Sequence, residues 1–168
     1  MPEQPLSTQA VYRARPTVRI DTQEYPKVSE LLIGMAMTER EGGMSALELL
    51  LSNVASEPGG GADLAFEDDA ILRLGAAVAV YTGDETAPRE IFRGIITGLE
   101  ADYPNEAPPE LTVLAEDALQ QARMTRRTAV HDDVSLADLA TALADELGLT
   151  PVVSGLSNTI GTWVQLNE

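Results

Sequence analysis

The chain has 168 residues, 44% of them hydrophobic, with 27 acidic against 11 basic side chains and a formal net charge of -16. That length and apolar share suffice for one full core plus a smaller unit, and the lack of cysteine excludes a disulfide framework and a thiolate metal site. So acidic a surface repels phosphate backbones and anionic lipid, which argues against specific nucleic-acid binding and direct membrane insertion.

Residues 1–9 are polar with two prolines and read as a flexible arm. They hold no basic segment followed by an apolar core, and no apolar run approaches the roughly 20 residues that span a bilayer. A soluble protein made in the cytoplasm is expected. Residues 11–15 and 17–21 read as extended around Pro16, and residues 21–24 as a turn into Tyr25. Two alternating runs follow. Ile33, Met35 and Met37 share a face in the first, and Leu47, Leu49 and Leu51 do so in the second. Gly42-Gly43 between them supplies the positive φ of a tight hairpin turn. Arms over residues 31–41 and 45–53 make this hairpin longer than usual, with a polar tip.

Residues 56–63 contain Pro58 and three consecutive glycines, a flexible loop. Residues 66–74 fit a short helix or a strand equally. A strand over 76–82, a turn over 83–88 and an alternating run over 90–99 come next. The proline-rich segment 102–109 then leads into a strand over 110–115. These three strands read as an antiparallel meander. Gly94 and Gly98, on the strand that also carries Phe92, let another backbone approach or let the sheet bend.

Residues 115–123 read as a short helix. Near Arg127 the hydrophobic period changes. Ser135-Leu136-Ala137-Asp138 resembles a capping box with Asp in place of Glu. Leu136, Leu139, Ala140, Leu143 and Leu147 form one helical stripe, ended by Gly148. Extended pieces at 151–154 and 162–166 follow. The expected organisation is an arm over 1–9, a β-barrel over 10–125, and the start of a second α/β unit over 126–168 that the chain leaves incomplete.

The chemistry of catalysis is missing from this pattern. His131-Asp132-Asp133 is the sole imidazole–carboxylate cluster. One histidine cannot supply a zinc ligand set, so the acids are read as complementing the positive end of the helix that follows. Glu67-Asp68-Asp69 lacks the spacing of a calcium loop, and Gly59 to Gly61 lacks the Lys-Ser or Lys-Thr of a phosphate loop. No cofactor and no metal are expected. Arg13, Arg15 and Arg19 are candidates for ion pairs across a subunit interface, with local pairing the equal alternative.

The string Ile91-Phe92-Arg93-Gly94-Ile95-Ile96-Thr97-Gly98, followed by Glu110-Leu111-Thr112-Val113-Leu114-Ala115-Glu116-Asp117-Ala118-Leu119, resembles the late control D family. These are baseplate hub proteins of contractile phage tails. They are related to the valine-glycine repeat protein G of type VI secretion and to hubs of extracellular contractile injection systems. Arg126-Arg127-Thr128, Ser135 to Ala140, Leu147-Gly148-Leu149 and Val164-Gln165-Leu166-Asn167-Glu168 continue the likeness over residues 10–168.

The resemblance implies a mainly β (α+β) protein: a tail-tube-like antiparallel β-barrel followed by a partial helix-containing segment, with truncation before the family's next helix. It implies a non-enzymatic homotrimeric hub that links the tail tube to the spike, with its own copies, the tube protein and the spike as partners. Such a hub is cytoplasmic during assembly and then part of a particle's baseplate. In that role the hairpin residues Glu39, Arg40, Glu41, Gly42, Gly43 and Glu48 are expected at a lumen or interface, the carboxylates keeping the lumen anionic. The alternatives are a tail tube or assembly protein, or a small-ligand or hydrolytic barrel with His131-Asp132-Asp133 as its site.

Overall fold

The computed structural model describes residues 15–56, 62–84 and 87–167. The arm over 1–9, Arg13 and the triple glycine lie outside the described residues. The chain forms two compact units, Met1–Asp117 and Ala118–Glu168. Strands dominate the first, helix and strand share the second equally, and every pairing is antiparallel, which makes the fold mainly β.

The first unit is built from β1 (Thr17–Ile20), β2 (Gln23–Glu24), α1 (Pro26–Glu30), β3 (Leu32–Thr38), β4 (Ala46–Ser52), β5 (Val54–Ser56), β6 (Ala62–Leu64), β7 (Ala77–Asp84), β8 (Ala87–Asp102) and β9 (Glu110–Asp117). Seven of these strands make one sheet in the order β2-β1-β7-β8-β9-β4-β3, and β5 with β6 forms a small separate ribbon. Alternation puts Val18, Ile20, Leu47, Leu49, Leu51, Val78, Val80, Phe92, Ile96, Leu111 and Val113 on one face, where all are buried. Val28 of α1 and Phe66 and Leu72 from the loop after β6 cover them, so a single core serves the unit.

The 16 residues of β8 pair with β7 through Ala87 to Ile95 and with β9 through Gly94 to Asp102. One strand thus changes neighbours around Gly94, helped by a bulge between Ile96 and Gly98. The sheet is open in its pairing, and its end strands are β2 and β3. Between them in sequence, α1 is tied to both sides. Ser29 Oγ accepts from the Val18 amide at 3.2 Å, and the Leu31 carbonyl accepts from the Ser52 amide at 2.8 Å.

Some sequence expectations change. The β3–β4 arms are seven residues each rather than about ten. Asp117 stops them, since its carboxylate accepts from the Ser45 amide at 2.6 Å and its own amide donates to the Ser45 carbonyl at 3.0 Å. The turn over 83–88 is tighter, with Gly83 facing Pro88 and Asp84 facing Ala87 inside the ladder. Residues 66–74 form neither helix nor strand. The expected helix over 115–123 shortens because β9 runs to Asp117. The α1 helix carries a legible signal, a proline at its first position, that the alternation around it obscured.

The second unit contains α2 (Gln120–Met124), β10 (Thr128–Ser135), α3 (Leu136–Glu146) and β11 (Thr159–Leu166). β10 and β11 pair antiparallel, Val130 facing Val164 and His131 facing Trp163. The capping box is present in both directions. The Asp138 amide donates to Ser135 Oγ at 3.1 Å, and the Ser135 amide donates to the Asp138 carboxylate at 3.0 Å. Gly148 follows the helix at φ 67°.

Candidate functional site

Gly94 fixes the bend that shapes the first unit. A Cβ on it would lie 2.1 Å from the Glu116 carbonyl oxygen and 2.9 Å from Phe92 Cζ. Two backbones therefore pass at a separation that only glycine permits. Gly98 is less constrained, a Cβ there meeting the Leu114 side chain at 3.1 Å.

Beyond this bend the sheet ends at β3, and its outer edge carries no partner strand among the described residues. Register places Met35 opposite Leu49 and Met37 opposite Leu47, on the core side. The leucines are buried, whereas Met35 is 39% and Met37 36% exposed because no strand lies beyond β3 among the described residues. Ile33, which the register skips at the β3 bulge, is 55% exposed. No lysine or proline guards this edge, and natural sheets seldom leave such a strand uncovered unless something pairs with it. A groove of about 490 Å³ runs along its start, lined by Arg15, Glu30, Leu32, Ile33 and Met35 among others.

On the opposite face of the same strands, Ala36, Glu48, Leu114 and Gly98 form one row across β3, β4, β9 and β8. Glu48 is exposed in this row. Glu39, Arg40, Glu41, Gly42 and Gly43 form the exposed hairpin turn, closed by the Gly43 amide on the Arg40 carbonyl at 3.1 Å, with Gly42 at φ 70°. Glu48 is thus separated from Glu39 and Glu41, which the sequence grouped with it.

Arg15, Arg19 and Arg93 have partners within the chain. Arg15 donates to the Glu30 carbonyl. The Arg19 guanidinium lies 4.5 Å from the centre of the Tyr81 ring. Arg93 binds Glu90 with two nitrogens, and its hydrogen bonds hold the Glu90 carboxyl below its ordinary range.

The cluster His131-Asp132-Asp133 does not converge. It lies in β10 rather than in the helix's first turn, so its acids do not serve the helix end. Asp138 takes that place, while Asp132 accepts from Thr162 Oγ1 at 2.8 Å and Asp133 sits at φ 53° in a bulge. The His131 ring tilts against Trp163 at 5.6 Å, and its Nε2 is buried without a hydrogen-bond partner among the described residues. A cavity of about 480 Å³ in this unit, floored by Leu119, Ala122, Leu143 and Leu147, has no histidine in its wall. No group of three or more potential metal ligands gathers among the described residues, and no described helix is long and apolar enough to cross a membrane.

Sequence reasoning passed over Asn53, which organises the loop beneath the sheet. It is buried, its Oδ1 accepts from the Phe66 amide at 3.1 Å, and its Nδ2 donates to Glu67 at 3.4 Å. Tyr103 also donates to Glu67. Asp68 Oδ1 accepts from the Ala70 amide at 3.1 Å, so Glu67 and Asp68 both hold the loop.

No protein-family model and no curated protein matches the chain. Among solved structures it is similar to a tail protein from Neisseria meningitidis MC58, at 14% identity and a TM-score of 0.51 over 78% of this chain. It is also similar to the c3393 protein of E. coli, a type VI secretion component with structural similarity to the T4 bacteriophage tail proteins gp27 and gp5. That match has 12% identity and a TM-score of 0.48 over 95% of this chain. The chain spans 33% and 37% of the lengths of these two structures. At such identity the first likeness establishes a shared fold.

Proposed function

We propose that the protein is a structural subunit of a contractile injection particle, within the baseplate hub that adapts the tail tube to the spike. The observation that carries this reading is the open edge of β3, seven residues long, with Met35 and Met37 half-covered on its core side. An edge of that kind accepts a neighbour's strand through main-chain hydrogen bonds, and alternate side chains select the partner. The fold shared with a tail protein supports the same role.

In the assembled particle the face bearing Ala36, Glu48, Leu114 and Gly98 lines the passage. The carboxylates of Glu39, Glu41 and Glu48 keep that passage free of adhering polyanions. The partners are sister copies, forming a trimer in the full-length protein, with the tube protein and the spike above and below. Arg15, which lines the groove at the start of β3 with Ile33 and Met35, lies on the flank that meets a neighbour. The protein assembles in the cytoplasm and then resides in the particle, and its product is geometry rather than turnover.

The test places lysines on the edge, as Met35→Lys with Met37→Lys, in the gene of the intact particle. Both side chains already reach solvent, so the isolated protein should stay folded by circular dichroism. Baseplates should be missing from electron micrographs of the particles. Normal baseplates, or an assembled structure with β3 on the particle's outer surface, would refute the proposal.

A further inference from the structure

We infer that in the free protein the β3 edge is covered by the β3 edge of a second copy, in an antiparallel pair about a two-fold axis at Ala36. The argument begins with what each end of the sheet offers. At the β2 end only Gln23 and Glu24 pair, and the remainder of that side of β1 is occupied by Ser29 Oγ on the Val18 amide. That end cannot accept a strand of useful length. Head-to-tail extension of the seven-stranded sheet onto the next copy is therefore blocked, and β3 is the longer of that sheet's two end strands.

The sequence of that edge is close to a palindrome. Gly34-Met35-Ala36-Met37-Thr38 reads small, methionine, small, methionine, small in either direction. In an antiparallel pair centred on Ala36, residues whose numbers sum to 72 face each other. Met35 of one copy then meets Met37 of the other on the core side, twice. On the opposite side Ala36 meets Ala36, and Gly34 meets Thr38. Directly opposed residues of an antiparallel pair share a face, so both cores remain on the same side of a continuous 14-strand sheet.

The four methionines complete the row that leaves Met35 and Met37 exposed, and their flexible thioethers adapt to one another. The Ile33 bulge and the turn after Thr38 bound the pairing to five residues, an ordinary strand length. A five-residue pair covers less than the roughly 1,200 Å² of a standard interface, so the dimer is weak, with a Kd on the order of 10 µM. Here the inference rests on the assembly reading: a weak isologous dimer masks an adhesive edge until a stronger partner in the particle displaces it. A two-fold pair cannot itself be part of an odd-membered ring.

The experiment uses the full chain, which contains no cysteine. Ala36→Cys brings two thiols face to face at the axis, with Cβ atoms about 4.5–5.5 Å apart. In Thr38→Cys the two thiols lie roughly 13 Å apart, four residues along the strand. Under oxidised glutathione at concentrations above the Kd, the first variant should form an interchain disulfide at least tenfold faster than the second. Sedimentation should show a reversible dimer for the wild type and a monomer for Ala36→Lys, whose charge faces its own copy while the fold is retained.

Equal cross-linking rates, or a wild type that stays monomeric at about ten times that Kd, would overturn the inference. The assembly reading fails differently. If Met35→Lys with Met37→Lys leaves baseplates intact, the hub proposal falls even when the dimer forms. If those lysines abolish baseplates while the free chain is monomeric, the hub proposal stands and the self-paired edge falls.

Discussion

Replacing Gly94 by alanine should unfold the first unit more readily than any other single-methyl addition to its sheet. The added Cβ would sit 2.1 Å from the Glu116 carbonyl oxygen and 2.7 Å from its carbon, with Phe92 Cζ at 2.9 Å on another side. Carbon and oxygen need about 3.2 Å, so β9 must retreat by roughly 1 Å. It cannot do so freely, because Gly94 pairs with Val78 on one side and with Asp117 on the other. Asp117 in turn holds the start of β4 through Ser45.

Overpacking together with one or two weakened ladder bonds costs about 3–5 kcal/mol. With a urea m-value of about 2 kcal/mol/M, the unfolding midpoint should fall by about 2 M. Gly98→Ala is the matched control. Its nearest contact is the flexible end of Leu114 at 3.1 Å, and alanine is the better strand residue, so its cost should stay below about 1 kcal/mol. If circular dichroism in urea shows the two variants within about 0.5 kcal/mol of each other, the claim that two backbones cross at Gly94 is wrong.

Asn53→Ala should cost about 2–3 kcal/mol by the same urea assay, because the Phe66 amide loses its acceptor in the interior; a loss under about 0.5 kcal/mol would show that the loop is held otherwise. Ser135→Ala removes the acceptor for the Asp138 amide and should cost about 1 kcal/mol in the stability of the second unit, read from hydrogen exchange of α3 amides. Asp21 is held below its ordinary 3.8 by the Ala77 amide and by Arg73, and Glu90 below 4.5 by Arg93. Because these carboxyls are depressed in the folded state, their contribution is complete above those values and is lost as pH falls through the lower folded ones. The acid limb of the stability curve should therefore flatten in Asp21→Asn. His131→Leu should fold and leave particle assembly intact; loss of assembly in a folded His131→Leu protein would return the cluster to a functional role.

How much of this was legible in the chain follows from the range of each interaction. The hairpin, the meander, the capping box and the Gly148 stop depend on residues close in sequence, and alternation, paired glycines and Ser-x-x-Asp spacing report such local forces directly. Gly94 could be singled out as a place where something passes closely. What passes there, the Glu116 carbonyl, depends on a strand 22 residues further along.

The exposed sites were read least well. Met35 and Met37 keep the expected alternation, but a bulge skips Ile33 and puts Leu32 in its place opposite Leu51; the partial exposure of the methionines arises because β3 ends the sheet, and strand order is a property of the whole topology. Glu39, Glu41 and Glu48 looked like one acidic group, but Glu48 stands in the ladder opposite Ala36 while the other two occupy the turn. The sequence by itself determined the β class and the punctuation of its strands, because secondary structure and turn chemistry are set over a few residues. Only the tertiary structure decided which strand lies at the edge, where Asn53 is satisfied and which face Glu48 shares. Those depend on long-range pairing, whose free energy is gathered over the entire sheet.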